Sequence, residues 1–446
     1  MISLGNTKQL VRRALSHSSK EAQVIITGGK SQLARIGKNE VYQNILGKEY
    51  SVKIQVADGK RVGNSSCNRF DGDQLKETAE KAELIASHQD NDPSWPGFCG
   101  SNESIIDENF YSKETVDACF EDKLSKLGKI FEDAKSKGVE IAGAFSHGDQ
   151  MKALGNTKDC FHYHVHTEAS FTFSIMTPKG GTGWAEFHSH KLKDINPNRL
   201  YEVALEKALA SESPKTISEG EYTVILEPPA VASLLRFLAY LGFGGMPFIE
   251  GRSYFSNKQG QKLFDEKISI TDNAFQSESF GCPFDMEGRK RHCVELMSKG
   301  VFMQPVLDTV TAQKLGRNFT STGHALAYPS TSGPIPLNLA LSPGESDIES
   351  MIRETKRGIL ITRFFYDNVI DPGKLSLTGM TRDGTFLIEN GKVVSGLKNL
   401  RYNETIPQIF NNVVSLSKQT WSLRGMGRNR VPAMKVEGFK FNGVGE

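Results

Sequence analysis

The sequence predicts an α+β protein of two domains. The N-terminal domain, residues 1–212, is expected to hold an antiparallel sheet with flanking helices. The C-terminal domain, residues 213–446, is expected to be strand-rich and built around one apolar helix. Three observations lead there: short runs of alternating hydrophobicity, Asp-Gly and Asn-Gly pairs between such runs, and 42 glycines in 446 residues, which is typical of a turn-rich chain. This length is ample for two domains.

The N-terminal half begins with patterns for a helix and two extended runs, at residues 1–20, 21–26 and 32–43. Residues 50–57 alternate cleanly, and Asp58-Gly59 then turns the chain into residues 61–65, which predicts a hairpin. Asp71 or Asp73 can cap the helix that follows. Further helices are predicted over 113–137 and 199–211, and further strands over 140–146, 161–176 and 183–190.

The C-terminal half is predicted to begin with a strand over residues 221–226. Two prolines come next, and an apolar helix follows from about residue 229 to 241, because prolines are tolerated in the first turn of a helix. Farther on, Asp383-Gly384 and Asn390-Gly391 bracket an apolar run, which predicts hairpins.

Charge and composition exclude several classes of partner. The 54 basic and 52 acidic side chains leave a net charge of +2, which gives no electrostatic reason to expect nucleic acid or an anionic membrane. No apolar run reaches the roughly 18 residues of a membrane-spanning helix, and the N-terminus lacks a secretory pattern. The six cysteines are widely spread with no CxxC pair, as expected of reduced thiols, so we predict a cytoplasmic protein.

Histidines form the most conspicuous polar pattern. Alternate residues of a strand share a face, so His162, His164 and His166 can form a row, with His188 and His190 on the next strand. A row on one strand rarely converges on a metal ion. We therefore interpret it as a solvated strand face, with metal binding or pH sensing as the alternative.

Two other groups invite a chemical interpretation. Cys293 follows His292, but neighbouring residues on a strand point to opposite faces, so we do not expect a nucleophile and its base. The run Arg289-Lys290-Arg291 is interpreted as a solvated turn, or else as a contact for an acidic partner or a peptide carboxylate.

Glycine spacing does not predict a phosphate site. Gly242, Gly244 and Gly245 follow the apolar helix, whereas a phosphate cradle needs its glycines before a helix. The sequence contains no GxSxG, HExxH or Walker motif.

Three blocks, in order, resemble the TldD/PmbA family. The N-terminal block is EYSVKIQVADGKRVGNSSCNRFD. The central block, DMEGRKRHCVELMSKGVFMQPVLDTVTAQKLGRNFTSTGHA, carries Glu287-Gly288 and Asp308. The C-terminal block combines ETKRGILITRF, LTGMTRDGTFLIENGKV and LKNLRYNETI. The resemblance covers nearly the whole chain, and it implies a metallopeptidase.

The family's catalytic motif is absent at its expected position. Active members carry HExxxH, whose two histidines bind zinc with a later cysteine, and whose glutamate is the general base. That segment falls on residues 236–241, so Arg236 and Leu241 replace the histidines and Phe237 replaces the glutamate. Neither arginine nor leucine can donate a lone pair to zinc, and no cysteine follows Cys293.

The resemblance therefore implies the family's metal-lacking, PmbA-like (TldE-like) branch. Such a chain is expected to have no catalytic residue and no metal or other cofactor, and to pair with an HExxxH-bearing TldD-like homologue around extended peptides. Arg236 and Tyr240 are candidates for peptide contact by position alone. The alternatives are a homo-oligomeric peptide-binding or protein-binding protein, or an enzyme with a metal site moved to the histidines. The family's older label, modulator of DNA gyrase, points to nucleic acid, against which the near-neutral charge argues.

Overall fold

The chain folds into two sheets, each covered by helices. The computed structural model describes residues 2–100, 103–276 and 279–444, and the side chains of residues 120–126 lie outside this description. The first sheet contains β1 (Glu21–Gly37), β2 (Glu40–Asp58), β3 (Arg61–Cys67), β4 (Ile105–Phe110), β5 (Glu140–Asn156), β6 (Phe161–Met176) and β7 (Thr182–Ser189). Its helices are α1 (Leu4–Leu15), α2 (Gly72–His88), α3 (Lys113–Asp117), α4 (Phe120–Ser136) and α5 (Pro197–Ala210).

The strand order of the first sheet is β3-β2-β1-β5-β6-β4, with β7 also paired to β6. These pairings are antiparallel except that between β4 and β6. Alternation along β6 sends Tyr163, Phe171 and Phe173 into the helix-covered core, where each is fully buried. The even-numbered residues, among them the histidines, consequently face away from those helices.

The second sheet holds the remaining strands. They are β8 (Gly220–Leu226), β9 (Ile270–Asp272), β10 (Val294–Ser298), β11 (Val301–Phe302), β12 (Leu339–Leu341), β13 (Arg357–Asp371), β14 (Ser376–Glu389), β15 (Lys392–Gly396), β16 (Leu400–Thr405), β17 (Val413–Arg424) and β18 (Arg428–Val444). The helices are α6 (Pro228–Phe237), α7 (Gly245–Ile249), α8 (Thr309–Leu315), α9 (Ile348–Arg353) and α10 (Ile406–Asn411).

Five strands of the second sheet close into a ring. β8 pairs with β13 and also with β18, and β16 and β14 link β18 back to β13. The apolar face of α6 packs against this ring through Val231, Leu234 and Leu235, which are fully buried. Burial of each such side chain contributes about 2 kcal/mol, so α6 is fixed firmly in place.

The structure confirms the predicted fold class and corrects two details. The predicted helix over 113–137 is interrupted at Ala118, whose ψ of 127° is not helical, and so it forms α3 and α4. Asn390-Gly391 does turn the chain between β14 and β15, but Asp383-Gly384 lies inside β14. There both residues have positive φ, and the ladder with β13 is irregular. The domain boundary after residue 212 stays a prediction.

Candidate functional site

The residues predicted to occupy the family's metal-motif position, 236–241, lie at the end of α6. This helix continues into a π turn, Leu238–Gly242, in which the amide of Phe243 donates to the carbonyl oxygen of Leu238 at 3.0 Å. Arg236 lies in the last turn of α6, just before this π turn, whereas Leu241 lies within it.

The side chains at this position do not fit a zinc ion. Arg236 is exposed, and its guanidinium lies 5.1 Å from the ring centre of Phe237. Phe237 and Leu241 are half-buried against the main core. None of the three has a lone pair for a metal. Within the described part of the chain, no three His, Cys, Asp or Glu side chains come together as a metal site.

A half-buried carboxylate lies beside this helix. Asp367 accepts hydrogen bonds from the Ser233 hydroxyl and, at 2.8 Å, from the Tyr402 hydroxyl. Burial raises the pKa of Asp367 above its usual range, although these hydrogen bonds and the nearby charge of Arg236 oppose the rise. The positive charge of Arg236 thus lies close to the carboxylate of Asp367.

Arg236 lines a small cavity of about 260 Å³ together with Arg363, Arg424 and Glu186. Tyr240 is not among the residues that line this cavity, and its side chain is 56% exposed. The structure therefore separates the two residues that position alone suggested for peptide contact. Their contact with a peptide stays a prediction.

The row of histidines is not a solvated face, so that interpretation was wrong. His162 and His164 are buried, 1% and 2% exposed, because β4 covers one edge and the C-terminal half covers the face. His162 accepts from the amide of Ile105 at 3.0 Å and donates to the carbonyl oxygen of Gly288 at 2.8 Å. It therefore joins the two halves of the chain.

Among the other histidines, only His164 and His166 of the described residues contact each other. His164 bonds through Nδ1 to Asp107 at 2.7 Å and through Nε2 to His166 at 3.1 Å. Burial, together with the neighbouring His164, lowers the pKa of His166 to about 3, so its ring is neutral at pH 7. His188 bonds to Glu186 at 3.0 Å, whereas His190 contacts the rings of Phe110 and Phe280. The five imidazoles do not converge.

The basic run is only partly a solvated turn. Lys290 is exposed, but Arg291 is 3% exposed and donates to Asp272 and Asn338. Burial opposes a charge on Asp272, yet Arg291 and His324 outweigh it and lower the pKa of Asp272 well below its usual range. His292 and Cys293 are both exposed just before β10. Sequence reasoning missed the buried role of Arg291 because Asp272 lies nineteen residues earlier.

A large cavity lies between the polar face of the first sheet and loops of the C-terminal half. It has a volume of about 620 Å³. Its floor comes from β1, β5, β6 and β7, and its roof from residues 279–282 and from the turn 424–428 between β17 and β18. Arg424 lines both this cavity and the smaller one beside α6. In the sequence, polar residues at the even-numbered positions of β5 and β6 indicate such a polar surface.

Comparison with known proteins identifies the family. Residues 219–443, just over half of the chain, match the PmbA/TldA metallopeptidase C-terminal domain, and residues 22–86 match domain 1 of the same group. The chain belongs to the PmbA/TldD metallopeptidase family. The resemblance predicted from the three sequence blocks is thereby confirmed.

Individual relatives within the PmbA/TldD family are distant. The chain is 26% identical over 308 residues to the metalloprotease TldD homolog of Buchnera aphidicola, covering 66% of this chain and 62% of the relative. It is 21% identical over 305 residues to metalloprotease PmbA of Escherichia coli O157:H7, covering 66% and 64%. The alignments thus span less than two thirds of either relative.

A solved structure shares the whole fold. The crystal structure of TldE from Thermococcus kodakarensis superposes with a TM-score of 0.87 at 20% identity, covering 98% of this chain and all of the other. At 20% identity, this similarity shows that the two proteins share a fold. It supports the arrangement of the two sheets described above.

Proposed function

We propose that this chain is a non-catalytic member of the PmbA/TldD family that pairs with an HExxxH-bearing homologue. The pair would enclose a chamber in which the partner's zinc cleaves extended or unfolded peptides. The observation that carries the proposal is the end of α6, where the π turn is present but Arg236, Phe237 and Leu241 offer no metal ligand.

Within this pair, this chain would help to enclose the chamber and would select which peptides enter it. The cavity of about 620 Å³ lies within the range of ligand-binding sites, and exposed strand edges can pair with an extended peptide backbone. The same cavity supports the second candidate, a homo-oligomeric protein that holds peptides without cleaving them. A relocated metal centre is disfavoured, because the histidines that would form it have separate partners.

We also infer a cytoplasmic location. Cys67, Cys99, Cys160, Cys282 and Cys293 are free thiols, as in proteins of reducing compartments. Within the described ranges, none of the helices is both long enough and apolar enough to cross a membrane. The near-neutral net charge of +2 gives no reason to propose nucleic acid as a partner.

Co-purification from native cytosol tests the pairing. The tagged chain is expected to recover an HExxxH homologue near one-to-one, identified by mass spectrometry. The mixed pair is expected to cleave an unfolded peptide that neither chain cleaves well alone. Replacing the partner's motif glutamate by glutamine should abolish cleavage, because a base for the metal-bound water is lost. Arg236→Ala in this chain should leave the zinc content of the pair unchanged.

Two results would contradict the proposal. Stoichiometric zinc in the purified chain alone would show that it has its own metal site. Recovery of the chain only as a homo-oligomer, with no homologue bound, would favour the peptide-holding protein instead.

A further inference from the structure

The large cavity between the two halves carries an excess of positive charge. Five of the side chains that line it are Lys or Arg, whereas Glu168 is the one acidic side chain among the lining residues described. The basic residues come from both sides of the cavity: Lys30, Lys152, Arg291, Arg424 and Arg428. Such a surface attracts anions.

Two of these charges are neutralised inside the protein. Arg291 pairs with the buried Asp272, as described above. Arg428 pairs with Glu168 across the two halves, and its guanidinium also lies 5.4 Å from the ring centre of Phe280. The pair with Glu168 does not use the whole guanidinium, because Nη1 of Arg428 is buried with no hydrogen-bond partner among the described residues. Arg428 as a whole is 7% exposed.

The remaining charges have no carboxylate to neutralise them. Among the residues described, no ion pair involves Lys152 or Arg424. Lys152 stands half-buried on β5, directly opposite His164 of β6, and Arg424 stands on the roof at the end of β17. An unpaired cation that is half-buried, as Lys152 is, is costly unless an anion joins it, whereas Arg424 is exposed and accessible to a ligand.

We propose that this cavity binds the carboxylate of a peptide, held by Lys152 on the floor and by Arg424 and Arg428 on the roof. The proposal rests on the peptide-binding function proposed above, and it names the peptide group that this chain recognises. Arginine is suited to the planar carboxylate because its donors match two oxygens at once. No residue of the absent metal motif takes part.

The rest of the lining favours a peptide over a small inorganic anion. Met151, Phe280, Leu337 and Met426 give apolar contacts next to the charges. Mixed apolar and convergent polar walls are typical of sites for organic ligands.

A pair of peptides that differ in one group tests the proposal. The full chain is titrated by calorimetry with an N-acetylated pentapeptide that ends in a free carboxylate, and with the same peptide as its C-terminal amide. The free acid is expected to bind about tenfold more tightly, as for one charge-assisted contact. Inorganic phosphate is the third probe, and it is expected to bind more weakly than the acid.

Variants separate recognition from folding. Lys152→Met should remove the preference for the acid, whereas Lys152→Arg should keep it, and Arg424→Met should reduce it. Lys392→Met, at an exposed position of β15 far from the cavity lining, is the matched control and should bind like wild type. Unchanged thermal unfolding of the variants would show that binding, not stability, was altered.

Each contrary outcome has a distinct meaning. Equal binding of acid and amide would overturn carboxylate recognition while leaving peptide binding in place. Phosphate binding as tight as that of the acid would overturn the assignment to a peptide. If neither peptide binds, peptide binding by this chain fails altogether, whereas its pairing with a homologue is still decided by co-purification.

Discussion

Replacing Asp272 by asparagine is expected to lower the free energy of unfolding by about 3–5 kcal/mol. Asp272 is fully buried, and its two oxygens accept from Arg291, from His324 at 2.9 Å and from the amides of Leu337 and Asn338 at 2.7 and 2.8 Å. An asparagine would leave the Arg291 charge buried without a counter-charge, and its amide group would face other donors. Urea unfolding of the wild type and the variant measures the change.

The control is Asp90→Asn, which makes the same chemical change at an exposed loop position and is expected to shift stability by less than about 0.5 kcal/mol. A change below about 1 kcal/mol at Asp272 would instead mean that water screens the pair as on a surface. Combining Asp272→Asn with Arg291→Met should cost less than the sum of the two single changes, because the partners are in contact.

Local patterns in the sequence predicted the fold well because they reflect local physics. The Asp58-Gly59 hairpin, the Asp71 cap of α2 and the apolar face of α6 each depend on residues a few positions apart. The apolar alternation along β6 likewise identifies its core face. These elements needed no knowledge of distant contacts.

The candidate site was harder to predict because its contacts join distant parts of the chain. From the sequence alone His164 is predicted to be solvated. In the structure it lies beside Asp107, which is 57 positions earlier in the chain. Arg291 belongs to a basic run and is therefore predicted to be exposed. In the structure its guanidinium donates a hydrogen bond to Asp272 of β9. The cavity exists only where loops of the second half cover the polar face of the first sheet. The residue types at 236–241, by contrast, can be compared with a metal motif from the sequence alone, and the absence of metal ligands there stays a prediction.

The second large effect is expected in the pH dependence of stability, and it centres on Glu287. Burial, together with the charge of neighbouring Asp285, raises the pKa of Glu287 to about 7. Burial also raises the pKa of Asp285 to about 6. Glu287 accepts a hydrogen bond from the Thr309 hydroxyl. This contact lowers the pKa, but by less than the desolvation of the carboxylate raises it.

The direction of the effect follows from the proton balance. In the unfolded chain Glu287 has its ordinary pKa of 4.5, so between about pH 4.5 and 7 the folded state binds more protons. Stability is therefore highest below that range and is lost as the pH rises through the folded pKa. A raised pKa of this size corresponds to a loss on the order of 3 kcal/mol.

Glu287→Gln is expected to flatten much of this profile, since glutamine keeps an oxygen for Thr309 but never ionises. Urea unfolding at pH 5, 6, 7 and 8 measures the profile, with the exposed Glu345→Gln as the matched control. Parallel profiles for wild type and Glu287→Gln would contradict the assignment to Glu287.

The location of Glu287 connects this pH dependence with the cavity. The next residue, Gly288, has a positive φ of 80°, and an added Cβ would lie 3.0 Å from Leu154 and 3.1 Å from Cys160 of the first half. Its carbonyl oxygen accepts from His162, so this loop holds the two halves together. If ionisation of Glu287 loosens this contact between the halves, we expect peptide binding to weaken together with stability as the pH rises from 5 to 8. If Glu287→Gln flattens the stability profile but leaves the pH dependence of binding unchanged, the loop stabilises the fold without controlling the cavity.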